Sequence, residues 1–155
     1  MRDEVEALTE RERIVDTIHA LFSATDARDW DGVEECFAER VRFDTTSLVG
    51  GEPVELAPSE ITEAWDRELA PILHVHHQVG NLRVRLGGDR AIAHCHGTAH
   101  HFRPVASGSD VRTFVGTYEF RLRLEDGEWR IDDFRYHHKF LTGNADLDRE
   151  APARA

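Results

Sequence analysis

Cysteine is almost missing from this sequence, with only Cys36 and Cys95 among 155 residues. Two thiols do not make the disulfide framework on which small secreted folds rely, so the core has to come from apolar side chains. Long apolar runs are missing too. None reaches the ~20 residues needed to cross a bilayer, and the opening MRDEVEALTERER has no apolar stretch of the secretory kind. A reduced, cytoplasmic protein is expected. Basic charge is the third shortage: 19 Lys and Arg face 30 Asp and Glu, a formal charge of −11, which disfavours nucleic acid and anionic membranes as partners. With 40 % hydrophobic residues and no internal repeat, the chain reads as one domain large enough to enclose a pocket.

What the chain has in plenty is histidine. Nine of its ten histidines lie in three clusters: His74, His76 and His77; His94, His96, His100 and His101; His137 and His138. Imidazole has an unperturbed pKa near physiological pH, so convergent histidines suit proton transfer or metal ligation.

The pattern begins helical. Thr9 and Glu12 have capping-box spacing, and Ile14, Ile18, Leu21, Phe22 and Thr25 recur at helical intervals to about residue 28. Asp29 or Asp31 can cap a second helix carrying Trp30, Val33, Cys36 and Phe37, and residues 41–48 read as a short strand. Gly50, Gly51 and Pro53 mark a loop; Pro58 and Ser59 open a third helix with Ile61, Trp65 and Leu69 on one face. Beyond Leu73 the period becomes two. Strands are expected over 74–86, 90–103, 111–124 and 128–141, separated by the turn signals Gly87-Gly88-Asp89, Ser107-Gly108-Ser109-Asp110 and Asp126-Gly127. Helices followed by an antiparallel meander argue an α+β fold with helices on one face of the sheet. The domain is expected over residues 1–142, with 143–155 as a polar, mobile tail.

Parity sorts the histidines. On 90–103 the odd positions Ala91, Ala93, Cys95, Gly97 and Ala99 are small and leave room for a cavity floor that ends at His101. His94, His96 and His100 fall on the other face. His77 is in phase with Val75 and Val79, unlike His74 and His76. On the first helix, Ile14, Ile18, Phe22 and Asp26 lie at i+4 steps, which puts a carboxylate on the apolar stripe. A buried acid needs a partner; the alternative is a solvated helix end or a cap for the next helix.

The runs TDARDWDGVEECFAERVRFDTTS, HHQVGNLRVRLGGDRAIAHC and GTYEFRLRLEDGEWRIDDF resemble, in order and spacing, the SnoaL-like branch of the NTF2-like superfamily, close to the scytalone dehydratases and hexachlorocyclohexane dehydrochlorinases. The resemblance covers nearly the whole chain. It implies an α+β cone, a strongly curved antiparallel sheet wrapped around a long helix with a pocket at the open end. It also implies an Asp26–His77 pair that abstracts a proton, with His101 as the second imidazole and His100 as its near neighbour. No cofactor is implied. Association as a homodimer or homotrimer through the outer sheet face is implied as well.

This sequence departs from the dehydratase pattern where Thr25 and Thr45 replace tyrosines, and where Gly116 and Tyr118 replace a serine and an asparagine. Scytalone itself is therefore not the expected substrate. Phe22, Thr45, Trp65, Tyr118, Tyr136 and His138 are the candidate substrate-binding residues, with Phe134, Tyr136, His138 and Phe140 sharing the parity that could line the core. The expected function is a cofactor-free lyase, isomerase or cyclase acting on a small cyclic or polyketide-like molecule. Two rivals stand beside it. His94-x-His96 with His100, or His74-x-His76, has spacing compatible with metal ligation if a paired strand adds a third donor. A non-catalytic ligand-binding pocket is the other, since fold alone does not establish catalysis.

Overall fold

The computed structural model describes residues 1–154. Helix α1 (Arg2–Ala27) starts well before Thr9, so the expected capping box does not form; the Thr9 hydroxyl donates instead to the Val5 carbonyl at 2.8 Å. Val5 and Leu8 are exposed, so the first turns project past the core, with Asp3 and Glu4 favourably placed at the positive end of the helix dipole. Ile14, Ile18 and Leu21 are fully buried. The helix ends at Arg28 in a left-handed conformation, φ 56°, where its N–H reaches back to Ala24 and Thr25 carbonyls. The Arg28 guanidinium donates to the Leu69 and Ile72 carbonyls, which fastens this end of α1 to the segment ahead of the sheet.

Asp29 caps α2 (Trp30–Glu35), its carboxylate accepting the Gly32 N–H at 3.1 Å. Strand β1 runs Phe37–Asp44 rather than 41–48, and Thr46–Val49 forms the helical turn α3. Asp44 explains the shift: its Oδ1 accepts from the Thr46 N–H and hydroxyl at 3.1 and 2.7 Å, a local bond that ends the strand and starts the turn. A three-residue strand β2 (Val54–Leu56) follows, too short to show alternation. Helix α4 (Pro58–Leu69) has Pro at its first position, and Glu60 accepts the Ala57 N–H at 2.7 Å. The four long strands lie where alternation puts them: β3 (His74–Gly87), β4 (Arg90–Phe102), β5 (Val111–Glu125) and β6 (Glu128–Gly143).

One curved, open sheet results, in the order β2-β1-β6-β5-β4-β3. All its pairs are antiparallel except β1 with β6, which is parallel and departs from the expected antiparallel sheet. Parallel neighbours need a long connection, and here strands β3 to β5 supply it. The concave face holds α1: Ile14, Ile18, Leu21 and Phe22 share a core with Ala91, Ala93, Cys95, Phe120, Leu122, Trp129 and Ile131. Fully burying an aromatic such as Phe120 contributes about 2–3 kcal/mol, so this interface is the main source of stability. No helix of the described residues is long and apolar enough to cross a membrane.

Two expectations are corrected. The stretch after Gly143 is packed rather than mobile: Leu147 is fully buried with Leu69, Ile72, Val75 and Val105, and Pro152 bridges Val105. Arg103 donates to the Leu147 and Glu150 carbonyls at 2.7 and 2.8 Å, capping backbone that composition alone marks as solvated. Phe140 is also not core. The pairing shifts between Val115↔Phe140 and Gly116↔His138, and this bulge turns Phe140 outward to 54 % exposure.

Candidate active site

A cavity of about 350 Å³ opens between α1, α4 and the concave sheet. Its polar end is built by three elements. Asp26 stands on the last turn of α1, one turn beyond Phe22, where the apolar stripe meets β3. Its Oδ2 accepts the His77 backbone N–H at 2.9 Å and its Oδ1 lies 2.6 Å from His77 Nδ1. A carboxylate oxygen accepts, so the Nδ1 of His77 carries the proton, and in the free-base form of the ring the lone pair is on Nε2. The side chains of His77 and Asp26 are 13 % and 21 % exposed, so the pair is shielded and yet reachable. Phe22 packs on the imidazole with ring centroids 5.3 Å apart and holds it from the side.

His101 sits at the far end of the small-residue face of β4, with Ala99 between it and the rest of the floor. It is 9 % exposed, and burial, followed by the nearby Arg112 cation, pushes its pKa down to about 3. It is therefore neutral at physiological pH. The Nε–H of Arg112 donates to His101 Nδ1 at 3.1 Å, and Arg112 Nη1 pairs with Asp148 at 2.6 Å. Both Arg112 and Asp148 line the cavity.

The remaining wall is aromatic. Phe43 and Phe134 are stacked at 5.1 Å, with Trp65 at 6.1 and 5.8 Å from them. Tyr118 and Tyr136 lie at 5.0 Å from each other, and burial raises both phenols, that of Tyr136 to about 12, so each remains a neutral donor. Two glycines make room for these rings. A Cβ on Gly97 would lie 2.5 Å from the Tyr118 ring, and one on Gly116 would lie 2.6 Å from that of Tyr136. Gly97 and Gly116 face each other across β4 and β5, so the space left on the cavity floor is filled by tyrosine.

Asp26 and His77 are thus in direct contact, and His77 and His101 line one cavity with Phe22, Thr45, Trp65, Tyr118 and Tyr136. His138 does not line it. Its ring Nδ1 lies 3.2 Å from the Tyr136 hydroxyl, and its backbone N–H donates to the Ser47 hydroxyl, so it supports a wall residue rather than lining the cavity itself. His100 is on the opposite face, 2.9 Å from the Thr113 hydroxyl and 6.3 Å, ring to ring, from His76. His94 and His96 are 5.9 Å apart, and no third donor joins them: among the described residues no three His, Cys, Asp or Glu side chains are placed to hold a metal ion. Arg112 and Asp148 were not among the sequence candidates. Arg112 has a signal, since it extends the Phe114, Gly116, Tyr118 parity by one step; Asp148 has none. Neither cysteine lines the cavity, although Cys95 pairs with Tyr118 across the sheet; burial pushes Cys36 up to about 11 and Cys95 to about 12, so both stay thiols.

A curved sheet wrapped on a long helix with a cavity at its open end defines the NTF2-like cone. Within that class the chain belongs to the SnoaL-like domain family, whose model matches residues 6–135. No curated protein sequence matches it. Among solved structures, the Kfla4162 protein of Kribbella flavida superimposes with TM-score 0.87 at 23 % identity, over 92 % of this chain and 99 % of that one. The hexachlorocyclohexane dehydrochlorinase LinA-type3 of Novosphingobium barchaimii gives 0.76 at 14 %, over 92 % and 94 %. A scytalone dehydratase-like protein of Novosphingobium aromaticivorans gives 0.74 at 16 %, over 100 % and 99 %. At these identities the likeness is one of fold.

Proposed function

We propose that this protein is a cofactor-free lyase, isomerase or cyclase that abstracts a proton next to a carbonyl or a leaving group of a small cyclic or polyketide-like molecule. The observation that carries the reading is the 2.6 Å contact between Asp26 and His77 Nδ1 at the wall of an aromatic cavity. It leaves Nε2 of His77 as a base aimed at whatever fills the cavity, and it places a carboxylate where the imidazolium will form. In a dehydration, the C–H proton passes to His77 Nε2 and its electron pair becomes an enolate. The enolate then expels the β-hydroxyl, which takes the proton back from His77 and leaves as water. His101 is a poor proton donor in this scheme because it is neutral throughout; it serves as a hydrogen-bond donor to the carbonyl oxygen, alongside the phenol of Tyr118.

The test is turnover on a panel of hydroxylated cyclic ketones and polyketide-like phenols. Asp26→Asn and His77→Ala are each expected to lower kcat by about 10²- to 10⁴-fold with an unchanged circular dichroism spectrum. Full activity in either variant would sink the mechanism. Tight binding of panel compounds without turnover by the wild-type chain would replace it with a binding role.

A further inference from the structure

The C-terminal stretch beyond Gly143 reaches the cavity through one side chain, Asp148, and that contact continues inward to His101. We propose that Asp148 and Arg112 are positioning residues that fix His101 as the Nε2–H tautomer, so that the packed C-terminal segment completes the site. The proposal deepens the proton-transfer reading of the same cavity and rests on it.

Donor chemistry carries the inference. The guanidinium has five N–H donors and no acceptor, so the atom that meets Arg112 Nε at 3.1 Å must be a lone pair. His101 Nδ1 is therefore unprotonated, and the proton of a neutral imidazole resides on Nε2. His77 is held in the opposite tautomer by Asp26. One cavity thus contains two imidazoles with exchanged roles: His77, as the free base, has its lone pair on Nε2, whereas His101 has its N–H there. Base and electrophile are separated by what stands behind each ring, a carboxylate in one case and a guanidinium in the other.

Arg112 is held from two sides. Asp148 accepts from its Nη1 at 2.6 Å, and the Phe114 ring lies beneath its guanidinium carbon at 5.4 Å. Its side chain is 11 % exposed, so the cation is withdrawn from water; Asp148 pairs with it directly, and Glu68 of the cavity wall stands near enough to feel its charge. Against the burial that would raise it, the hydrogen bond from Arg112 keeps Asp148 below the usual carboxylate range. Asp148 is brought there by its neighbour Leu147, which is fully buried, and by the Arg103 bonds to the carbonyls of Leu147 and Glu150. A simple staple between tail and strand would need only the Nη1 contact. Nε aimed at His101 has no part in holding the tail, and that second contact distinguishes positioning from fastening. The charged and titratable groups facing His101 are Arg112 on β5, His77 on β3, Asp148 on the C-terminal segment and Asp26 on α1.

Ring nitrogens report the tautomer directly. In protein labelled with ¹⁵N-histidine at neutral pH, long-range proton–nitrogen correlation spectra are expected to show His101 protonated on Nε2 only and a proton on Nδ1 of His77. Arg112→Met should turn His101 into a mixture of tautomers and raise its titration midpoint toward the ordinary imidazole range. Asp148→Asn, which keeps the shape of the tail, should mix the tautomers by less, and loss of its negative charge should move the midpoint down rather than up. With a panel substrate, kcat of Arg112→Met should fall by about 10- to 100-fold, while KM stays within about 3-fold. A His101 that carries its proton on Nδ1, or one whose tautomer and midpoint are the same in both variants as in the wild type, would overturn the proposal. The spectra need no substrate, so failure of the proton-transfer reading appears as a wild-type protein without turnover, and failure of the positioning role appears in the nitrogen shifts.

Discussion

His100 and His101 are consecutive residues of β4, and they show how differently the two faces of one sheet use the same side chain. His101 faces the concave side, is nearly sealed from water, and has a partner that only donates. His100 faces the convex side, half-buried, beside the hydroxyl of Thr113, which can both donate and accept and so selects no tautomer. The same contrast separates His77 from His76 on β3, whose register partners are Ala99 and His100. Histidine clusters in this chain are thus a product of strand alternation. The chemistry of an imidazole here is decided by the group behind it: a carboxylate at 2.6 Å for His77 and a guanidinium at 3.1 Å for His101 on the concave face, against a Glu119 carboxylate no nearer than 4.0 Å to His137 on the outer one.

The largest effect expected from this contrast is in acid. Folded, His101 stays unprotonated down to about pH 3, whereas in the unfolded chain it protonates around the ordinary imidazole value of 6.5. Between those values the unfolded state holds more protons, so the contribution of His101 is complete above pH 6.5 and is lost as pH falls toward 3. The slope is about 1.4 kcal/mol per pH unit, on the order of 5 kcal/mol over the window. Urea unfolding at a series of pH values should therefore show a shallower loss of stability for His101→Gln than for the wild type. Parallel curves for His101→Gln and wild type would erase the distinction between the faces.

The C-terminal segment marks the limit of what alternation reveals. The four long strands are legible because each carries more than ten residues of period-two pattern, and the cavity face can be traced along β4 as far as His101 and along β5 as far as Arg112. Asp26 is legible as a carboxylate on an apolar stripe. Asp148 is not: it lies in a run of polar and small residues without period, and its place depends on one leucine meeting a hollow formed by Leu69, Ile72, Val75 and Val105. His138 misleads for a related reason, because its parity is right while the pairing shifts beside it and its ring is engaged by the Tyr136 hydroxyl. Asp44 likewise ends β1 through a bond to Thr46 that no apolar pattern signals. Patterns of burial can be read from a sequence; single polar contacts that override them cannot.

Leu147 gives the next largest effect. Leu147→Ala removes a fully buried side chain from the small second core, which should cost about 3 kcal/mol of unfolding free energy in urea titration. The loss extends to function if the segment holds Asp148 in place, so His101 should show the same tautomer mixing as in Arg112→Met. A variant destabilised by that amount with unaltered His101 nitrogen shifts would mean that Arg112 keeps its orientation without the tail.

The smallest effect compares two glycines rather than two histidines. Gly97 lies under the Tyr118 ring on the concave face, with no room for a methyl group: a Cβ there would stand 2.5 Å from the ring. Gly80 pairs with the exposed His96, has a backbone conformation open to other residues, and a Cβ there would meet nothing within 4 Å. Gly97→Ala should then lower stability by about 1–2 kcal/mol through overpacking, and it should tilt Tyr118 into the cavity and raise KM. Gly80→Ala should raise stability by about 0.5 kcal/mol, since alanine restricts the unfolded chain and strains nothing in the folded one. The two changes are chemically identical and opposite in sign, so thermal or urea unfolding of the pair reads the difference between the faces without involving a titratable group. Equal destabilisation by both would show that the convex side is packed as closely as the concave one, and that the contrast drawn from His100 and His101 is local to the end of β4.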